Sequence, residues 1–524
     1  MPSTSGPPVR WRDDALARLA GERFDVLVIG GGITGAGVAR DAALRGLRVA
    51  LVEREDFASG TSSRSSRLVH GGVRYLEHGY LHLVAESSRE RRILLDTAGT
   101  LVKPLKFTWP VYRGARIPRW KLAAGLWLYD LLAHFGNVGR HRTLSAARVL
   151  AEEPRLAREG LAGGAIYYDA ATDDARLTLA TVGDAARAGS VVLNHAEVTS
   201  LIFERARAVG VTVRDGRTAR AFEVRAEHLV NATGPWTDAI SRIEHPSSSP
   251  AVLGTKGVHL AVPAARVGNR GAVTLLAPVD QRVMFVLPAG GHTIIGTTDT
   301  HTNENPSDVR ATAADVRYLL TSVNAFFPAA KLTEDDVVAA WAGIRPLIAR
   351  GHSGDPAAAS REHRIFVGPR GVIAVTGGKL TTYRAMAAEV VDVVERQRGR
   401  PPTPCTTATR ALPDDGWPAA ERSREAAPGG EREGSTAPGA LLVPGLPYTV
   451  GDVVRAVERE FACTIGDVLV RRTHVAFETR DHGSSVAPQV AALLAPRLAW
   501  TEADRARALD DYRAEVARLF TIEP

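Results

Sequence analysis

Phe24-Asp25-Val26-Leu27-Val28-Ile29 runs directly into Gly30-Gly31-Gly32-Ile33-Thr34-Gly35-Ala36-Gly37, and this junction limits the fold more than any other stretch of the chain. The mostly apolar run suits a buried parallel strand, and Gly30, Gly32 and Gly35 fill G-x-G-x-x-G. Glycines at that spacing let the backbone turn tightly, approach a pyrophosphate closely and pack a helix on the strand, with Gly31 and Thr34 between them in the same loop. Residues 38–45 read as that helix and Gly46 as its C-terminal cap. A second strand follows over 47–52. Glu53, 18 residues past Gly35, stands where a carboxylate accepts hydrogen bonds from a ribose diol. Strand, helix, cap, second strand and acid in register make a dinucleotide-binding βαβ unit.

The 524 residues, 45% apolar and 23% charged, suffice for two or three domains of a soluble enzyme. The formal charge of +7 is spread along the chain rather than gathered in a run, so nucleic acid is not indicated. The cations are nearly all arginine. Lysine occurs only at 103, 106, 121, 256, 331 and 379, which draws attention to Lys256 and Lys379 in their glycine-flanked segments. Cys405 and Cys463 form no C-x-x-C, and reduced thiols, a cytoplasmic location and no structural metal are expected. Residues 1–22 form an N-terminal extension without the apolar core of a secretory signal, and no run of 18 apolar residues spans a bilayer.

A mixed α/β body is expected over 23–400, with strands at 191–193, 228–230 and 371–375 and helices at 174–188 and 313–326. Residues 413–446, dense in Pro, Gly, Glu, Arg and Ser, read as a linker or disordered insertion. Helical spacing then recurs at 450–461, 465–472, 487–494 and 502–520, so 447–524 should form a small helical domain.

Three segments decide which dinucleotide is bound. Thr61-Ser62-Ser63-Arg64-Ser65-Ser66-Arg67-Leu68-Val69-His70-Gly71-Gly72 offers hydroxyl and amide donors to a pyrophosphate and a flavin edge. Asn231-Ala232-Thr233-Gly234-Pro235-Trp236 ends a strand. In Val375-Thr376-Gly377-Gly378-Lys379-Leu380-Thr381 a strand turns into a helix whose free N–H groups suit an anionic reduced flavin. The cofactor read from these segments is FAD.

The strings SSRLVHGGVRYLEHG, VNATGPW, IIGTTDT, GIRPLI and GGKLTTYR, in this order and spacing, resemble the FAD-dependent glycerol-3-phosphate dehydrogenase family of the D-amino-acid-oxidase-like flavoproteins. The match covers about 22–395, and VVRAVEREFACTIGDVLVRRT resembles the family's helical C-terminal domain. The resemblance implies a glutathione-reductase-type Rossmann domain for FAD, an antiparallel β-sheet substrate domain and the helical cap. It implies oxidation of sn-glycerol 3-phosphate to dihydroxyacetone phosphate, with electrons passing to quinone. It also places Arg345 and Arg361 on the substrate phosphate, and Arg74 and Tyr75 in the same pocket.

The chemistry asks for fixed cations around a phosphate dianion, which those arginines supply. It also asks for a proton acceptor at C2, for which His259 is the first candidate and Lys379, as base or as charged anchor, the second. His70 is read as supporting FAD. Trp109, Ile117, Trp120, Leu126, Trp127, Leu128, Leu131, Leu132 and Phe135 crowd a region rich in Lys and Arg, as a monotopic contact with the inner face of the cytoplasmic membrane requires. The competing readings are an oxidase passing electrons to oxygen, an amino-acid-oxidase-like enzyme, which would need a carboxylate pocket, and a non-enzymatic flavoprotein. A homodimer is the assembly entertained.

Overall fold

The structure is a computed structural model and describes residues 10–134, 136–348, 362–413 and 437–524. The backbone of Arg74 is included but not its side chain; Phe135, Arg361 and residues 414–436 of the expected linker lie outside the described residues.

Two sheets organise the chain. In the first, strand Arg23–Ile29 pairs in parallel with Val49–Val52 on one side and Ala221–Asn231 on the other. The parallel array continues to Val191–Leu193 at one end and Ile373–Gly377 at the other. Successive side chains of the central strand go to opposite faces. Val26 and Val28 pack with helices Ile33–Leu44 and Tyr383–Gln397, whereas Leu27 and Ile29 meet helix Trp11–Gly21 and the antiparallel Ala196–Glu204 and Arg207–Asp215 hairpin. Because both faces are covered, the strand reads as a continuous apolar run.

The second sheet has ten strands and forms the wall opposite. Its pairs are antiparallel apart from Ala272–Leu276 beside Val102–Tyr112, which run parallel. Helix Ala313–Phe326 covers its outer face, started by a reciprocal Thr312–Asp315 cap.

The C-terminal domain holds helices Val450–Arg459, Ala487–Leu494 and Glu502–Phe520, the first and last capped by Thr449–Asp452 and Thr501–Asp504. Residues 437–446 depart from the linker expectation: Ala440 and Leu442 are buried in the core this domain shares with the second sheet. The N-terminal extension is also structured from residue 10. Trp11 of its helix packs edge-on against Phe461, 5.3 Å between ring centres, and Arg12 pairs with Asp215. Several expected elements differ in their ends: the strand expected at 228–230 is the longer Ala221–Asn231, that at 47–52 is Val49–Val52, and the helices expected at 174–188 and 450–461 are Asp174–Arg187 and Val450–Arg459. The helix after Gly32 starts at Ile33, the strand expected at 371–375 is Ile373–Gly377, and residues 467–472 wind as a π-helix.

Candidate active site

A cavity of about 460 Å³ lies between the two sheets, with Gly30, Gly32, Thr34 and Glu53 at one end and His259, Arg345 and Lys379 at the other. At the first end the glycines are fixed by contact. A Cβ on Gly30 would stand 2.7 Å from the Ala232 carbonyl oxygen, and one on Gly35 would overlap the Gly30 carbonyl where helix meets strand. Gly31 packs on Phe57 and donates its amide to Glu53 Oε2 at 2.6 Å. Burial raises the Glu53 pKa, against the pull of the Glu55 and Gly31 amides, and the carboxylate retains lone pairs for a ribose diol. Ser62 Oγ accepts the Ile33 amide at 2.9 Å, and Thr61 donates to the Ile344 carbonyl, which ties the hydroxyl-rich loop to the helix Ile33–Leu44 and to the second sheet.

Thr61, Ser62, Ser66, His70, Ala232, Thr233, Gly234, Gly377, Gly378, Leu380 and Thr381 also line the cavity. Gly35, Ser63, Gly71 and Gly72 stand behind it. Gly71 donates its amide to Asp169 and leaves room for Tyr129 and Ser88, whereas Gly72 is left-handed (φ +78°) and lies against Tyr75. Thr381 Oγ1 accepts the His70 amide and donates to its carbonyl.

At the reacting end, Gly377 and Gly378 are both left-handed (φ +77° and +75°) and turn the chain out of its strand toward Lys379. Lys379 donates to Ser87 and sits 4.5 Å above the Tyr75 ring. His259 is 2% exposed and stacks on its cross-strand neighbour Trp341 with ring centres 5.6 Å apart. Its Nε2 meets Ser66 Oγ at 2.8 Å, so Ser66 presents the oxygen that faces the cavity. Burial, then Arg345 and Arg67, push the His259 pKa down to about 3, and the imidazole is neutral. Arg345 donates to Thr297 Oγ1 at 2.9 Å, to the Thr298 carbonyl and to Asp299 Oδ1 at 3.1 Å.

The string around 294–300 therefore has a physical task that sequence reading missed. Gly296 makes room for the His259 ring, since a Cβ there would stand 2.9 Å from Nε2, and the three residues after it orient Arg345. Other residues missed are Arg64, Asp174 and Trp236, all at the cavity, and Trp341 behind it. Lys256, singled out as a rare lysine, is elsewhere: it pairs with Asp315 at 3.0 Å. The aromatic, basic region also divides. Trp109, Ile117 and Leu126 are buried and Leu128 and Leu132 half-buried, while Trp120, Trp127 and Leu131 of helix Arg119–Leu132 are 74%, 55% and 40% exposed.

A glycine cradle with a ribose acid at one end, and a buried imidazole beside an oriented arginine and a lysine at the other, define an oxidoreductase built around a bound dinucleotide. Two observations fit FAD: the cradle itself, and the buried Trp236 indole N–H at the cavity, which has no acceptor among the described residues. The chain belongs to the FAD dependent oxidoreductase family and, within it, to the glycerol-3-phosphate dehydrogenases. The FAD dependent oxidoreductase family matches residues 25–392, and the C-terminal domain of alpha-glycerophosphate oxidase matches 422–505. The chain is 41% identical to glycerol-3-phosphate dehydrogenase 2 of Mycobacterium tuberculosis over 96% of its length and 89% of the relative's. It is 40% identical to the aerobic glycerol-3-phosphate dehydrogenase of Bacillus subtilis over 73% of its length and 69% of the relative's. The solved glycerol-3-phosphate dehydrogenase from Bacillus halodurans, complexed with FAD, superposes with a TM-score of 0.78 at 32% identity, over 97% of this chain and 98% of that one.

Proposed function

We propose that the chain oxidises sn-glycerol 3-phosphate to dihydroxyacetone phosphate on bound FAD and passes the electrons to a membrane quinone. The observation that carries this is Arg345, a cation oriented by Thr297, Thr298 and Asp299, in the same cavity as the dinucleotide cradle. The FAD contacts fall to the glycine loop, Glu53, the 61–66 hydroxyls and the 377–381 turn. When bound, FAD supplies the acceptor for the C2 hydride. Arg345 grips the phosphate, with Arg74 and Arg361 as further cations of the proposal and Tyr75 as pocket wall. The C2 hydroxyl gives its proton to Ser66 Oγ while Ser66 gives its own to His259 Nε2. A bound phosphate dianion offsets the Arg345 charge that disfavours a cationic His259, so substrate itself makes the imidazole a better base. Lys379, which donates to Ser87 and lies over the Tyr75 ring, is the cationic anchor that steadies negative charge as it develops.

Trp120, Ala124, Trp127 and Leu131 fall on one exposed stripe of their helix, flanked by Arg116, Arg119 and Lys121. This is the chemistry of a peripheral contact with an anionic leaflet, and it supports quinone and the inner face of the cytoplasmic membrane. No helix among the described residues is long and apolar enough to cross a membrane. The oxidase reading has its own observation: residues 422–505 match the C-terminal domain of alpha-glycerophosphate oxidase. Anaerobic addition of glycerol 3-phosphate should bleach the oxidised-flavin absorbance band, and a quinone analogue should restore it faster than oxygen does. An unbleached band overturns the activity, and faster recovery with oxygen overturns the acceptor.

A further inference from the structure

The segment 467–478 of the C-terminal domain lies outside the cavity lining and touches residues that neighbour both ends of it in sequence. At the adenosine end it places Arg471 and Arg472 on Asp56, three residues past Glu53. At the reacting end it places His474 and Phe477 beside Arg67.

Arg67 holds a left-handed backbone (φ +55°), a conformation that a side chain adopts only when its surroundings impose it. Its guanidinium lies 6.0 Å from the Trp341 ring centre and 5.3 Å from that of Phe477, which meets Trp341 edge-on. Arg67 Nη2 is 3.4 Å from His474 Nδ1, and His474 Nε2 bonds to the Asp173 carboxylate. Arginine has no acceptor, so Nδ1 accepts and the His474 proton sits on Nε2, where it is donated to Asp173. This one tautomer serves both partners.

The contacts close a ring. His474 and Phe477 fix Arg67, Arg67 covers Trp341, Trp341 stacks on His259, and His259 bonds to Ser66, which is the residue before Arg67. We propose that His474 is a positioning residue for the reaction: through Arg67 and Trp341 it sets the placement of the Ser66–His259 pair that takes the substrate proton. This rests on the proton route proposed above. It assigns the C-terminal domain a part in catalysis rather than in stability alone. A loosened Arg67 leaves the Arg345 phosphate contact in place, so the loss should fall on kcat and not on KM.

The test uses the full-length holoenzyme with His474→Ala, His474→Gln, Arg67→Lys and the His474→Ala/Arg67→Lys double variant. FAD content, read as the ratio of flavin to protein absorbance, should stay at the wild-type value in all four. Anaerobic flavin reduction at saturating glycerol 3-phosphate should slow about tenfold in His474→Ala with KM unchanged, within the range of a misplaced acid–base group. Gln offers an N–H to Asp173 and an oxygen to Arg67, and should recover most of the rate. The double variant should be no slower than the slower single variant, because both changes break one ring. A wild-type reduction rate in His474→Ala, or losses that multiply in the double variant, overturns the proposal. If His474→Ala fails to fold, the Gln variant decides: a rate below one-tenth of wild type with full FAD content overturns it. Failure of the wild type to be bleached instead overturns the functional reading, and the ring is then tested by the same cycle in thermal melts, where additive losses overturn it.

Discussion

Gly257 lies against the guanidinium of Arg345, and a Cβ at 257 would stand 2.7 Å from Cζ and overlap Nη2. The arginine reaches Thr297 and Asp299 because that side of the Val252–Pro263 strand is bare. Gly257→Ala should push the guanidinium off its partners and raise KM for glycerol 3-phosphate about 10- to 100-fold, the worth of one or two charge-assisted hydrogen bonds. FAD content should be unchanged. Steady-state kinetics beside the flavin absorbance ratio checks this, and an unaltered KM would remove Arg345 from the phosphate site.

The glycine fingerprint was legible because its spacing recurs within one short loop, where Gly35 answers to the Gly30 carbonyl; that Gly30 also answers to Ala232 at the end of a distant strand, and Gly32 to Ser62, was not visible in it. Helices such as Ala313–Phe326 and Glu502–Phe520 were legible because one face is apolar and the ends carry caps. What escaped depends on pairing between distant segments. His259 faces Gly296 and Trp341 only after three strands align in register, and no window of sequence contains that geometry. Lys256 misled for the same reason: its rarity was visible, but Asp315 lies in another element. Residues 437–446 share Pro and Gly with the polar stretch before them, but their Leu441, Leu442, Val443 and Leu446 signalled a core contact; Ala440 and Leu442 find that core in the C-terminal helices and the second sheet.

Gly35 is the tightest point of the cradle, so Gly35→Ala should act through packing rather than lost ligand contacts. Forcing the helix off the strand should cost about 1–3 kcal/mol. Thermal melts of the cofactor-free protein should already show the loss, together with release of FAD on gel filtration. A variant that melts like the wild type and keeps its flavin would refute the tight fit.

Lys256→Met should separate structure from chemistry. The ammonium is buried against Asp315, and removing one partner of a buried pair costs about 3–5 kcal/mol. The lower end is expected, since Asp315 still accepts from Thr312. The melting temperature should fall while kcat and KM hold; a changed KM would return Lys256 to the active site.

The C-terminal domain is also docked through His195, which meets the Asp467 carboxylate at 3.1 Å. Burial works against the imidazolium, but Cys463 and Asp467 prevail and hold the His195 pKa well above its usual value. A pKa raised by folding stabilises fully below the unfolded value of about 6.5, and the contribution is lost as pH rises toward the folded value. Stability should therefore decline above about pH 6.5 by up to about 1.4 kcal/mol per pH unit from this group. Denaturant melts from pH 6 to 9 should show the slope in the wild type and a flatter profile in His195→Gln. Equal slopes would mean that the pair is neutral.

The buried face of helix Arg119–Leu132 is committed to the protein, since Leu122, Leu126 and Tyr129 lie in the core of the second sheet. Its outward Trp120, Trp127 and Leu131 therefore have no such task. Changing Trp120 and Trp127 to Ser removes exposed aromatic surface without opening a cavity, so the melting temperature should move little. Cosedimentation with vesicles containing anionic lipid should fall, because apolar burial and attraction of the flanking cations act together in such contacts. Turnover with a soluble artificial electron acceptor should persist, whereas turnover with quinone in vesicles should drop. Undiminished vesicle binding would acquit these residues as the anchor, and quinone turnover that survives loss of binding would place the quinone contact on another face of the protein.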